Sequence, residues 1–116
     1  ADNEKKLTLF ARANRLRLAC EFDKAAGVYE SIVADFPTEA EAYWGLVLCR
    51  YGIEYVEDPA THKRVPTVNR AQYTSVFDDE DYKAAIQYAD AGQREVYEAE
   101  AKAINEIQKG ILEYSF

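Results

Sequence analysis

Residues 9–48, LFARANRLRLACEFDKAAGVYESIVADFPTEAEAYWGLVL, place apolar and small residues at the spacing of successive amphipathic helices. In the first helix, Leu9, Ala13 and Leu16 recur at intervals of four and three residues, which puts them on one helical face. The second helix must end before Pro37, because the residue preceding a proline is pushed out of the helical region. A third helix begins just after that proline. This stretch therefore predicts a helical hairpin followed by the first helix of another.

Capping residues indicate where these helices begin and end. We expect helix one over about 3–20 and helix two over about 23–35, with the Asp23 carboxylate capping helix two. Thr38 and Glu41 have the spacing of a capping box at the start of helix three. Gly52 is then the expected left-handed residue beyond the last turn of that helix.

The segment after Gly52 departs from helical spacing. Two short β-prone runs within 53–68 flank the turn-forming sequence DPAT at 58–61, so we expect a small β-hairpin inserted near 54–67. Residues 67–77 should form an irregular or single-turn connector. Asp78 and Asp79 suit the start of helix four, because carboxylates are stabilised near helix N-termini.

A long final helix is predicted over 90–114, because Asp90 and Gln93 form a second capping box. Its near-heptad stripe should pack onto helix four. The members of that stripe are Tyr97, Ala101, Ile104, Gln108 and Ile111. The chain as a whole is expected to be a single all-α domain, residues 1–116, of about five helices with one small β-hairpin. The closing residues 114–116 lead us to expect that the native chain continues.

Composition and charge exclude several classes of protein. The net charge is −7, and the one basic stretch, residues 59–76, carries only three basic side chains, so we expect no nucleic-acid partner. No apolar run approaches 18 residues, so we expect no membrane-spanning helix. Cys20 and Cys49 fall within predicted helices and should be buried free thiols, which favours a reducing, cytoplasmic location.

The sequence contains little that could support catalysis. His62 is the only histidine, and its place in the predicted hairpin turn favours an exposed, ordinary imidazole. The acidic run at 78–81 lacks the alternating ligands and central glycine of a calcium loop. No phosphate-binding glycine loop and no zinc-binding motif is present. We therefore predict no catalytic residue, no metal and no cofactor, and expect that the domain is not an enzyme.

Small, aromatic and proline positions across the first 44 residues resemble the tetratricopeptide repeat, whose period is about 34 residues. Those positions are Ala13, Leu16, Ala25, Tyr29, Ile32 and Pro37, followed by the helix start at 38–44. Only one and a half repeats are present, and such repeats usually need about three for stability. Either the later helices or a second copy of the chain must therefore complete the packing.

Three blocks, EAYWGLVLCRYGIEYV at 41–56, YEAEAK at 97–102 and IQKGIL at 107–112, are similar to the helical region of certain bacterial proteins with a Toll/interleukin-1 receptor (TIR) domain. In that family a zinc-ribbon-like segment commonly precedes the helical region and a TIR domain follows it. The resemblance implies that this domain is a helical spacer or interaction domain of a larger signalling or defence protein. It carries no catalytic residue over to this chain.

Two alternatives concern Arg50 and Glu54, which stand four residues apart near the end of helix three. They could form a partly buried ion pair that holds the hairpin to the helices. Alternatively, Arg50 could line a groove that captures a carboxylate or an acidic segment, with aromatic neighbours supplying contact area. The candidate partner-binding residues are Asn14, Arg17, Tyr43, Trp44, Arg50 and Tyr55.

Taken together, these features favour a non-enzymatic, tetratricopeptide-like protein-interaction or scaffold domain. It would link an N-terminal segment to a C-terminal TIR domain. Its partner would be another protein or a second copy of itself, which would make it a homodimer. The alternative is a regulatory domain that senses a small ligand in a pocket between helix three and the hairpin.

Overall fold

The computed structural model describes residues 1–114, and the closing pair 115–116, part of the signal for a continuing chain, lies outside them. The expected fold class is confirmed: five helices and one two-stranded antiparallel hairpin. The elements in chain order are α1 (Asp2–Leu18), α2 (Phe22–Asp35), α3 (Ala40–Tyr51), β1 (Ile53–Glu57), β2 (Arg64–Val68), a 3₁₀ turn (Val76–Asp78), α4 (Glu80–Tyr88) and α5 (Ala91–Tyr114). Over residues 1–114, no helix is both long and apolar enough to cross a bilayer.

Helix α3 lies at the centre of the molecule, and nine of its twelve residues are buried. Ala42, Leu46 and Cys49 face α1 and α2, and with them form what we call the first core. Trp44 and Val47 face the hairpin, α4 and α5, and belong to the second core. A helix that is apolar on all sides must be covered on all sides. Each core is therefore completed by a different face of α3.

Helix α3 packs on α2 at Gly45, which lies against the ring of Tyr29. A Cβ atom at position 45 would lie 2.5 Å from that ring, so the contact requires glycine. The ring is also fixed in place, because its hydroxyl donates to Asn14 and accepts from Arg17 Nε at 3.1 Å. Both of those partners are on α1. Tyr29 thus joins three helices at one point.

Two helices end on a left-handed residue, and only one of these residues is glycine. Gly52 follows α3 with φ of 59°, as expected from the sequence. Cys20 follows α1 with φ of 60°. The Cys20 amide donates to the Arg17 carbonyl and the Glu21 amide to the Leu16 carbonyl, the pair of bonds that defines a Schellman motif. Because α1 ends at Leu18, Cys20 is exposed, and its predicted burial is wrong.

The predicted caps have mixed outcomes. Asp90 and Gln93 form the reciprocal capping box at α5, with bonds of 2.7 and 3.0 Å, which is confirmed. Asp79 caps α4 by accepting from the Tyr82 amide at 3.0 Å. The caps expected from Asp23 and from the box at 38–41 are wrong. The N-cap of α2 is Glu21, two positions before Asp23, and that of α3 is Glu39, one position after Thr38; neither glutamate side chain makes a cap bond.

The hairpin pairs Ile53 with Val68 through to Glu57 with Arg64, and β2 packs against α5. The connector that follows is irregular with a single 3₁₀ turn, as predicted. Gln108 of α5, only 2% exposed, accepts from the Gln72 amide and donates to the Thr74 carbonyl. Gln108, a predicted member of the α5 stripe, is thus buried as expected, and its amide group fixes the connector.

Candidate functional site

An open groove lies between the hairpin and three helices, α1, α3 and α5, with a volume of about 470 Å³. Each of these elements contributes at least two residues to it. The lining residues are Arg17, Leu18, Trp44, Leu48, Ile53, Glu54, Tyr55, Arg64, Val96 and Glu100. We call this cavity the groove. Its walls come from parts of the chain up to 83 positions apart, so it exists only in the completed fold.

The floor of the groove is aromatic and its rim is aliphatic. Trp44 is buried and stacks on Tyr97 of α5, with ring centroids 4.9 Å apart. Leu18 and Val96 stand at the rim, 70% and 56% exposed. Large apolar side chains left in solvent beside a concave surface indicate an interaction site more often than single scattered ones do.

Two arginines of the groove lack an acidic partner. Arg17 uses its Nε–H on the Tyr29 hydroxyl, and Arg64, at the start of β2, has an exposed side chain. Among residues 1–114, no carboxylate lies within 4.0 Å of either guanidinium group. After the Tyr29 bond, nine guanidinium N–H donors of the two side chains have no hydrogen-bond partner among residues 1–114.

The two carboxylates of the groove are bonded to neutral donors instead. Glu100 accepts from the Tyr55 hydroxyl at 2.6 Å, and Glu54 accepts from Asn69 Nδ2 at 2.9 Å. Burial, and then the bond to Glu100, raise the pKa of Tyr55 well above its usual range. Hydrogen bonding to Glu54 raises the pKa of the Cys20 thiol. Tyr55 is thus a fixed hydrogen-bond donor that ties the hairpin to α5.

Three of the six predicted partner-binding residues line the groove: Arg17, Trp44 and Tyr55. Asn14 lies behind it, bonded to the Tyr29 hydroxyl. Tyr43 faces away, with its ring stacked on Tyr88 at 5.8 Å and its hydroxyl donating to the Pro37 carbonyl. The structure does not bring Asn14, Tyr43 or Arg50 to the groove.

Arg50 is committed to a different cluster. Its guanidinium bonds to Asp79 and, at 2.7 Å, to Asp81, so the ion pair expected with Glu54 is not formed. The physical reason is Gly52, whose left-handed conformation ends the helix before position 54 and turns β1 away. Asp79 is only 8% exposed and also caps α4. Arg50 therefore joins α3 to α4 rather than facing a partner.

A second, smaller cavity of about 330 Å³ lies beside Arg50. It is polar, and its arginines are already paired, since Arg70 bonds to Asp23 at 2.9 Å. Cys49 contributes to the lining, and burial raises the pKa of its thiol to about 11. A thiol held protonated in this way is a poor nucleophile.

Seven of the ten residues that line the groove were not among the sequence candidates: Leu18, Leu48, Ile53, Glu54, Arg64, Val96 and Glu100. Arg64 was visible only as part of the basic stretch at 59–76, because the side of a hairpin that a residue faces depends on how the hairpin docks. Val96 and Glu100 lie four apart on α5, a spacing that places them on one helical face. That spacing was the one available signal, and it does not say which neighbour the face meets.

Within residues 1–114, no group of three or more His, Cys, Asp or Glu side chains is placed to hold a metal ion. His62 lies in the hairpin turn, with Nδ1 3.1 Å from a carboxylate oxygen of Glu57. Its exposed position is that expected from the sequence.

Comparison of the chain with protein-family models, with curated proteins and with solved structures finds no match. The tetratricopeptide and TIR resemblances therefore stay predictions, and function has to be argued from the groove.

Proposed function

We propose that this domain is a non-enzymatic protein-interaction domain that binds a segment of a partner protein in the groove. The observation that carries the proposal is the pair of half-solvated apolar side chains, Leu18 and Val96, over the buried Trp44. Interface hot spots typically combine an aromatic residue with surrounding apolar contacts that exclude water. A partner side chain placed against Trp44 would bury Leu18 and Val96.

The openness of the groove favours a protein segment over a small molecule. Pockets for small ligands typically enclose most of the ligand surface. Here the rim side chains are more than half exposed, so a compact ligand would leave much of its surface in water. The volume, about 470 Å³, nevertheless falls within the range of small-ligand sites and lies between α3 and the hairpin. A small-ligand sensor is therefore the second candidate function.

The arrangement of helices supports a tetratricopeptide-like scaffold role. Helices α1, α3 and α5 alternate in the chain with α2 and α4, and all three contribute to one concave surface. A domain of this kind would connect an N-terminal segment to a C-terminal TIR domain in a larger bacterial signalling protein. The two unpaired cysteines fit a reducing cytoplasm.

Selection from a displayed library of random 12-residue peptides tests the proposal. We expect the wild-type domain to enrich peptides whose affinity falls at least tenfold in Leu18→Gln and in Val96→Gln. Leu7→Gln is the matched control, since Leu7 is also exposed, on the same helix, but does not line the groove. If no peptide is enriched, or if all three variants bind alike, the proposal fails.

Light scattering over a range of concentrations separates a partner segment from a second copy of the chain. We expect a monomer whose groove is open. A stable dimer that Val96→Gln dissociates would mean that the groove is filled by self-association, which contradicts binding of a partner segment in that site.

A further inference from the structure

We infer that the segment that binds in the groove is acidic, with one carboxylate held between Arg17 and Arg64 and an adjacent apolar side chain on Trp44. This inference rests on the proposed function and names the chemistry of its partner. It follows from the charges of the groove, from their present hydrogen bonds and from the position of the apolar surface.

The first step is the unmet bonding capacity of the two guanidinium groups. Arg64 has no side-chain hydrogen bond or ion pair with residues 1–114, and Arg17 has one bond, to a neutral phenol. A guanidinium presents a rigid, planar set of donors that matches a carboxylate in a bidentate fashion. Both guanidinium groups could donate to a carboxylate of the partner without breaking an existing ion pair.

The second step is that the positive charges of both arginines affect the same atom, the hydroxyl oxygen of Tyr55. Tyr55 lines the groove together with both arginines, and while burial and Glu100 raise the pKa of its hydroxyl, Arg17 and Arg64 both act to lower it. Both positive charges are therefore close enough to influence one oxygen atom. A carboxylate bound between the two guanidinium groups, on the side away from Glu100, would be attracted by both arginines and could accept hydrogen bonds from them.

The third step concerns Glu54 and Glu100, which would repel an acidic segment. Glu100 accepts a hydrogen bond from Tyr55 of the hairpin and Glu54 accepts one from Asn69, the residue after β2. Neither carboxylate lies within 4.0 Å of the Arg17 or Arg64 guanidinium group. Their carboxylates thus stabilise the hairpin wall and leave the guanidinium groups unneutralised. They also confine the favourable position for a new carboxylate to the arginine side of the groove.

The fourth step places the apolar contact beside the charged one. Arg17 and Leu18 are consecutive at the end of α1, so a segment whose carboxylate reaches Arg17 lies directly next to the apolar rim. Acidic and large apolar residues close together in the partner are therefore the expected pattern. A nucleic acid is disfavoured, because a chain with net charge −7 repels a phosphate backbone.

The test uses the most strongly enriched peptide from the library and its own Glu→Gln or Asp→Asn analogue. We expect Arg64→Gln to weaken binding of the parent peptide about tenfold, and expect the amide analogue to lose a similar factor. In the double-mutant cycle, Arg64→Gln should have less than a twofold effect on the amide analogue, because the interaction it removes is already absent. Arg17→Lys should weaken binding by a smaller factor, since it keeps the charge and loses the bidentate geometry.

Lys63→Gln is the control for net charge, because Lys63 is the adjacent basic residue and does not line the groove. The inference is overturned if enriched peptides lack acidic residues or if Arg64→Gln and Lys63→Gln change the peptide Kd by the same factor. It is also overturned if the losses of affinity caused by Arg64→Gln and by the amide analogue multiply in the cycle. Peptides that respond to Leu18→Gln but not to Arg64→Gln would leave the proposed function standing and remove the acidic partner. A library that yields no groove-binding peptide would overturn both.

Discussion

The first and second cores lie on opposite faces of α3 and are held together by different means. The first core joins α1 and α2 to α3 over a continuous part of the chain, with the Tyr29 hydroxyl at its centre and two lysine–carboxylate pairs, Lys5–Asp35 and Lys6–Glu39, at its edge. The second core joins elements far apart in sequence and is surrounded by polar links. Those links are Arg50 with Asp79, Tyr55 with Glu100, and Gln108 with the connector.

The difference shows how irregular segments are fixed in a small helical domain. Regular helices bury apolar stripes, and their backbone groups are satisfied internally. The connector 69–75 has few such bonds of its own, so side chains of α3 and α5 supply them. The groove lies beside the second core, where the hairpin packs through Ile53, Tyr55 and Val68 and leaves an open cavity between itself, α1, α3 and α5.

The largest expected effect comes from α3 itself. Trp44→Ala removes the aromatic centre of the second core and should lower the unfolding free energy by about 3–5 kcal/mol, and Leu46→Ala in the first core by about 2–5 kcal/mol. Because both residues lie on the same helix, each variant should still unfold in one transition. Urea titration followed by far-UV circular dichroism measures this, and a second transition in either variant would mean that the two cores are separate folding units.

Arg50→Ala tests the polar link of the second side. It leaves Asp79 buried without its charged partner, so we expect a loss of about 1–3 kcal/mol. Glu54→Gln is the control and should change stability by less than about 0.5 kcal/mol, since Glu54 is exposed and makes no bond to Arg50. Equal losses of unfolding free energy in the two variants, measured by chemical denaturation, would show that the stabilising contribution of Arg50 depends on Glu54.

Gly45→Ala tests the close packing of the first side. The added methyl group meets the fixed ring of Tyr29, and the cost of overpacking exceeds the gain in helix propensity, for a net loss of about 1–2 kcal/mol. Gly27→Ala is the matched control in α2, where a Cβ meets nothing within 4 Å, and should stabilise by about 0.5–1 kcal/mol. Melting temperatures that rise in both variants would show that α2 and α3 can move apart without penalty.

The smallest expected effect compares the two left-handed helix ends. Cys20→Gly should raise the unfolding free energy by about 0.5–1 kcal/mol, because glycine adopts φ of 60° without the strain imposed on an L side chain. Gly52→Ala should have the opposite sign, and contact with Arg70 adds to the strain there. Destabilisation by Cys20→Gly would mean that the thiol contact with Glu54 outweighs the backbone term.

Much of the first core could be predicted from the sequence, because the residues that determine it lie close together in the chain. The apolar spacing from Leu9 to Leu16, the break at Pro37 and the left-handed Gly52 each act within a few residues. The errors were also local, at the level of one or two positions. Cys20 was expected inside α1, but the helix ends at Leu18, and this shift moves the thiol from a buried face to solvent.

The second side could be predicted only as a set of elements. The hairpin, the connector and the Asp90–Gln93 capping box follow from composition and spacing. The partner of Arg50 does not, because the nearest acidic residue at helical spacing was Glu54, while the actual partners lie 29 and 31 positions away. The predicted set of groove residues was incomplete for the same reason, since Arg64 and Glu100 come to line one cavity only after the hairpin docks on α5.

The central claim, that an acidic segment binds on Trp44, can be tested by fluorescence. Trp44 is the only tryptophan of the chain and lies on the floor of the groove, so its emission reports directly on occupancy. Titration with the enriched acidic peptide should give a saturable change in emission, with a Kd about tenfold weaker in Arg64→Gln and unchanged in Lys63→Gln. A peptide that binds, as measured by anisotropy of a label on it, without changing Trp44 emission or without sensitivity to Arg64 would contradict the claim.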